Sequence, residues 1–177
     1  YNMYPTEHWG LHVKATHQYT KGFKDYGFNS SQAITLKTGY RFNDKHSVDF
    51  LTMNGFHRNG QGWIGVSMDE LKERPRANGN PASDDDNWFM SMNRVQYKGR
   101  VANNIVLTSA AYAQFQTGSY RMDLDNYMIR MSDPKWAPMG IVYDYHLHHH
   151  LIGANTFAKF YLRQFIITTG INTYTYK

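Results

Sequence analysis

The sequence contains no cysteine, which excludes disulfides and thiolate metal sites and leaves the compartment open. It also has no apolar run approaching the roughly 20 residues that a membrane-crossing helix requires, and its mean hydropathy is −0.64. That excludes helical spans but not barrel strands, whose alternating side chains hide from a hydropathy average. Leu, Ile and Val are sparse for 177 residues, which argues against a large aliphatic core. The first ten residues, YNMYPTEHWG, lack the basic and apolar regions of a secretory leader, and they read as an internal stretch of a longer polypeptide. The Lys and Arg residues that leave a net charge of +5 are spread along the chain, a distribution that argues against nucleic acid as a partner. There is no internal repeat or low-complexity tract. There is no G-x-S-x-G, Ser109 and Ser119 stand in no supporting pattern, and the carboxylates are scattered, so no enzyme is expected.

What the chain has instead is aromatic residues, 16% of it, with 14 Tyr and 10 Phe, and alternation. From Ala33 to Phe56, two segments of about ten residues flank the turn NDKH. Ile34, Leu36, Tyr40 and Phe42 share one face, while Thr35, Lys37 and Arg41 share the other, the period-2 signature of a strand. Asn43 and Asp44 suit a tight turn. Similar patterns predict strands over His8–Tyr19, Trp88–Lys98, Ile105–Gln116, His148–Ala158 and Arg163–Tyr176. Ser67, with Glu70 three residues on, forms a capping box that predicts a short helix over Ser67–Arg74.

The connections alternate in length. The pieces at 43–46, 99–104 and 159–162 are short. Thr20–Ser30 is longer, and His57–Asn87 and Thr117–Leu147 are very long for a compact domain. Short turns at one end and long loops at the other are the pattern of an outer-membrane barrel, and about ten residues per strand suffice for its apolar band. The sequence therefore predicts an all-β, antiparallel up-and-down meander of about seven strands forming part of a transmembrane β-barrel. An odd-numbered open arc in lipid would leave unpaired edges, so further strands outside 1–177 are expected to complete it. The row of Ile34, Leu36, Tyr40 and Phe42 is expected to face lipid.

The run from Gly39 to Phe89 resembles the barrel region of TonB-dependent outer-membrane receptors. Gly39, Tyr40, Asn43, Asp44, Lys45, His46 and Ser47 fit the strand-turn pattern of that family. Asn59, Gly60, Gln61, Trp63 and Gly65, then Asp84, Asp85, Asp86, Asn87 and Trp88, are similar to a loop of its iron-uptake members. The resemblance implies a barrel of about 22 strands filled by a plug, which imports a scarce ligand with energy passed on by the TonB complex. The ligand implied is a ferric siderophore or haem. The implied partners are the TonB complex, reached through a plug outside these residues, the lipid bilayer, and a surface lipoprotein. A glycan- or peptide-importing barrel and a soluble β-sandwich binding module remain as alternatives.

Candidate ligand-contacting residues in the longest loop are Arg58, Gln61, Trp63, Arg74 and Arg76. Arginine pairs well with the carboxylates of an anionic chelate, and a plain solvated loop face is the competing reading. In YDYHLHHHLIG, an extended backbone puts His146, His148 and His150 on one face with His149 opposite. Such a row suits a metal or haem, or else a polar rim at a lipid interface. Asp84, Asp85 and Asp86 suit a hard cation or a solvated acidic turn. Trp9, Tyr26, Trp88, Tyr97, Tyr112, Tyr161 and Tyr174 are read as interfacial girdle or core filler.

Overall fold

A computed structural model describes all residues from Tyr1 to Lys177. The chain forms one eight-stranded antiparallel sheet in which every strand pairs with its neighbours in sequence. The strands are β1 Asn2–Thr6, β2 Trp9–Thr20, β3 Asn29–Asn43, β4 His46–Gly60, β5 Asp85–Ala102, β6 Ile105–Asp123, β7 Val142–Leu162 and β8 Phe165–Tyr176. Helices α1, Met68–Glu73, and α2, Leu124–Met131, lie in the connections after β4 and β6. The sheet is a meander that does not close, as β1 and β8 each have one partner only. Two stacked sheets, the sandwich alternative, are therefore excluded. No helix is long and apolar enough to cross a membrane.

Four hairpin turns, at 7–8, 44–45, 103–104 and 163–164, lie at one end of the sheet, and the loops 21–28, 61–84 and 124–141 lie at the other. The turn chemistry is local. Asn43 Oδ1 accepts from the amides of Lys45 and His46, and Thr6 Oγ1 does the same for His8 and Trp9. Side chains of these types imitate a backbone turn. Ser67 caps α1 by accepting from the Glu70 amide at 3.1 Å. The Glu70 carboxylate turns to Arg130 instead of completing the box.

The sheet has one strand more than the seven expected, and three of the expected strands, those over Trp88–Lys98, Ile105–Gln116 and His148–Ala158, were too short. β1 carries Pro5, which lacks an amide hydrogen and fits an edge, and its pairing with β2 is broken by a bulge. Both features hide its alternation. β5, β6 and β7 run to 18, 19 and 21 residues. Beyond the apolar rows their sequences alternate polar with aromatic residues, yet the backbone ladder continues, as in Arg121 opposite Asp144 and Tyr120 opposite Tyr145. The loop expected over Thr117–Leu147 therefore shrinks to 124–141, and the turn expected at 159–162 moves to 163–164.

Cross-strand register sorts the side chains into two faces, since directly paired residues point the same way. One face carries Trp9, Leu11 and Val13 of β2, Leu36, Tyr40 and Phe42 of β3, and Val48 and Phe50 of β4. It continues through Val95 and Tyr97, Ile105 and Leu107, Ile152 and Phe160, to Ile167 and Ile171. Toward the turns this face holds no Lys, Arg, Asp or Glu below Arg58, Asp85, Arg121 and Asp144 at its loop end. The opposite face carries Lys14, Lys37, Arg41, Asp49, Arg94, Lys98, Arg100 and Lys159. Nothing packs on either face. Buried apolar residues are Ile64, Ala77 and Ala110 alone, and Ile64 and Ala77, with Asn78, Asn80 and Asp84, belong to the 61–84 loop. The core of this chain sits in its loops.

Candidate ligand-binding loops

The loop after β4 is knotted around its own asparagines. The Ile64 amide donates to Asn80 Oδ1 at 2.9 Å, and Asn80 Nδ2 donates to Asp84 Oδ2 at 2.9 Å. Asn78 Nδ2 donates to the carbonyls of Asp25 and Gln61, each at 2.7 Å. Gly79 between them is required, because a Cβ there would press on Ile64 and on the Gly65 carbonyl. Asp84 reaches across to β6, where it accepts from the Asp123 amide at 2.7 Å. Burial pushes the Asp84 carboxyl above its ordinary value, against the opposing effect of the Asn80 and Asp123 hydrogen bonds.

The three loops are laced together. Arg74 and Arg76 flank Asp25 of the 21–28 loop at 3.6 and 3.4 Å, and Lys24 Nζ donates to the Gly62 carbonyl at 2.8 Å. Arg130 of α2 meets Glu70 of α1 at 3.2 Å, and Asn126 Nδ2 donates to the Gly79 carbonyl. Within the 124–141 loop, Asp125 accepts from Trp136 Nε1 and from the amides of Met139, Gly140 and Ile141. These donors, Trp136 first, hold its carboxyl below the ordinary value.

The structure separates the sequence candidates. Arg58 lies on the apolar face, bonded to Asp85 Oδ2 at 2.5 and 2.8 Å and 5.8 Å from the Phe28 ring. It is thus turned away from the others. Gln61 donates to Asp86, and Trp63, 46% exposed, packs on Tyr127 at 5.7 Å beside Tyr120. Gln61, Trp63, Arg74 and Arg76 share the loop cluster. Asp85 is taken by Arg58, Asp86 by Asn59 and Gln61, and Asp84 by Asn80 and the Asp123 amide, so the three carboxylates of the acidic triplet serve separate partners. His146, His148 and His150 do share one face, but it is the apolar one. His148 meets Thr117, His150 packs on Phe115, and His146 lies 3.6 Å from Asp144. No cluster of three or more His, Asp or Glu side chains that could hold a metal ion forms. Side chains two residues apart on a strand fan along it, and the three imidazoles stand as a row on β7. Of the aromatic candidates, Trp9 and Tyr97 stand on the apolar face and Trp88, Tyr112, Tyr161 and Tyr174 on the polar one.

Sequence reasoning missed Asp25, Asn78, Asn80, Asp125 and Tyr127. The spacing Asn-Gly-Asn at 78–80 was the available signal for the knot; Asp125 had none, since its donors lie 11 to 16 positions away. Also missed was the charge of the polar face. None of Lys14, Lys37, Arg41, Arg94, Lys98, Arg100 and Lys159 forms an ion pair, and Arg94 Nε is buried without an acceptor. Single-letter alternation shows such residues as polar but not as one continuous cationic wall.

No protein-family model and no curated protein matches the sequence. Among solved structures the chain is similar to the ferric-catecholate import receptor Fiu from E. coli K12 in its open form, with a TM-score of 0.74 over 99% of this chain at 9% identity. The chain spans 31% of the length of that receptor chain. At that identity the likeness concerns fold: this open eight-stranded meander has the shape of a segment of such a receptor's β-barrel.

Proposed function

We propose that these residues are part of an outer-membrane barrel receptor that takes up an anionic iron chelate, a ferric siderophore or haem, in a TonB-energised cycle. The observation that carries the reading is the division of the sheet. One face is apolar and uncharged along its span, the other is lined by unpaired cations, and all structured loops stand at one end. In lipid, uncharged side chains must face outward and charged ones a lumen. β7, at about 3.4 Å per residue, is roughly 70 Å long; tilted by about 45°, it rises well above the ~25 Å apolar band, lifting the loops clear of the surface. Trp9, Tyr97, Tyr40 and Phe160 cluster toward the turn end, where a girdle would lie. The unpaired cations favour an anionic cargo over a neutral glycan. Coupling to TonB would run through a plug seated against the polar face, and the role is binding and transport with no catalytic step.

Two measurements test this. Spin labels at Val13 and Leu36 in the full-length receptor in bilayers should be accessible to oxygen and shielded from a polar relaxant; labels at Lys14 and Lys37 should not share that lipid signature. Saturable quenching of tryptophan fluorescence is expected with a ferric catecholate, a ferric hydroxamate or haem. Binding of none of the three would remove the iron reading while leaving the barrel intact.

A further inference from the structure

The polar face gathers three methionines at one place. Met53, midway along β4, stands directly opposite Met92 of β5, and Met90 lies two residues nearer the loops on the same face, opposite Gly55. Directly opposed Cβ atoms lie about 4.5–5.5 Å apart and diagonal ones about 7–8 Å, and two steps along a strand cover about 7 Å. Met53 thus supplies, from the neighbouring strand, the third corner that a row on one strand lacks. A methionine side chain has three rotatable bonds, enough to bring the three thioethers to a common centre. Gly55 leaves room for this, since a Cβ built on it would meet nothing nearer than the Gln32 carbonyl at 3.7 Å. Met53 and Met90 are each 43% exposed, so burial within the sheet does not account for them on a face that also carries Lys14, Lys37 and Arg94.

We propose that Met53, Met90 and Met92 form a binding site for a soft monovalent metal ion, copper(I) or its analogue silver(I). A thioether is uncharged and polarisable and has no proton to lose, so it selects copper(I) over zinc and calcium, which favour imidazole and oxygen ligands. The flanking side chains on this face, Thr35, Gln114 and Gln116, are uncharged, so no carboxylate beside the triangle offers a hard ion a competing seat. Arg94, two residues beyond Met92 on the same face, repels a cation, and a double charge twice as strongly as a single one. No cysteine in these residues competes with the thioethers. The site rests on the register of β4 and β5 and on neither the membrane reading nor the iron cargo. It adds a second metal chemistry to the chain, one that its histidines and carboxylates do not supply.

Silver(I) is the probe, because it does not change oxidation state during a titration. In the full-length protein with 13C-labelled methionine methyl groups, one equivalent of silver(I) should shift the three signals that are missing from M53L, M90L and M92L. Leucine is close to methionine in volume, a swap that cores tolerate, so each single variant should keep the parent's thermal midpoint. Each should bind silver(I) several-fold more weakly, and M53L/M90L/M92L at least tenfold more weakly, whereas M128L on α2 should bind as the parent does. Copper(I) should displace the silver, and a tenfold excess of zinc(II) should not. Absence of silver(I) binding, binding that survives the triple change, or shifts confined to other methionines would overturn the proposal and leave these side chains as a packing surface. None of those results bears on the iron reading, which stands or falls with the chelate titrations above.

Discussion

Ile64→Ala isolates the loop knot from the sheet beneath it. Ile64 is fully buried, and its amide is held by Asn80. The substitution removes three carbons beyond Cβ, worth about 2.4 kcal/mol at ~0.8 kcal/mol per buried methylene. A cavity term adds to this, within the range of about 2–5 kcal/mol for such truncations. Gly79 lines the gap with a backbone whose carbonyl is held by Asn126, so collapse is partial and a local cost of about 3 kcal/mol is expected. Because the knot touches the sheet mainly through Asp84 and Gln61, that cost falls on loop opening and not on strand pairing. Hydrogen exchange should therefore accelerate on the order of 100-fold for amides in 61–84, at about 1.4 kcal/mol per decade, with β5 and β6 unchanged. Exchange within threefold of the parent, or equal acceleration across the sheet, would refute the claim that this loop owns a separate core.

The two perturbed loop carboxyls predict opposite pH responses. The Asp125 value is lowered on folding, so its contribution is present above the ordinary carboxylate value of 3.8 and is lost as pH falls through the lowered one. Fluorescence of Trp136, with the other tryptophans replaced by Phe, should report loosening of 124–141 in acid, and Asp125→Asn should show it already at neutral pH. The Asp84 value is raised, so protonation favours the closed loop. Its stabilisation is full below 3.8 and is lost as pH rises through the raised value, and Asp84→Asn should flatten that dependence of Asp123 amide exchange. Asp25→Asn frees Arg74 and Arg76 at a stability cost under about 1 kcal/mol, because these pairs are exposed. An anionic chelate should then bind several-fold more tightly, and R74A/R76A several-fold more weakly, as read by fluorescence titration. Gly118→Ala would drive a Cβ into the Asn87 carbonyl and the Trp88 ring; an overpacking cost of about 1–3 kcal/mol should lower the denaturant midpoint.

Much of the sheet was legible because one interaction governs it. A strand with unlike surroundings on its two sides must alternate, and Ala33–Phe56 alternates cleanly. Alternation located the strands and the tight turn at Asn43, and loop lengths located the two ends. Where both faces meet similar surroundings the signal vanishes: Val142–Leu147 reads as loop, yet it pairs residue for residue with β6. β1 was hidden by its bulge and proline. The loop site was less legible still. Ser67 announced its helix, because a cap is a local bond. Asp25, Asp84 and Asp125 act through partners brought near by folding, and nothing local marks a buried carboxylate whose donors lie on another loop. The histidines show the complementary case: spacing places His146, His148 and His150 in one row, as they stand, but which face that row occupies was decided by neighbours on β6.

A quantity that none of those patterns supplies is how much surface the sheet leaves open. A compact monomer of 20.7 kDa exposes about 8,900 Å² by the usual scaling with mass, whereas this chain exposes 12246 Å². The excess of roughly 3,300 Å² comes from both sides of the one layer. Ile34, Phe42 and Ile171 are at least half exposed on one, and the unpaired cations stand on the other. Water cannot be the medium on both sides: it would leave the apolar face without the burial that drives a sheet to form. One low-polarity medium cannot serve both either, since it would strand seven cations that form no ion pair. The layer is stable only between two unlike surroundings. On the proposed reading these are lipid outside and a wet or polypeptide-filled lumen inside.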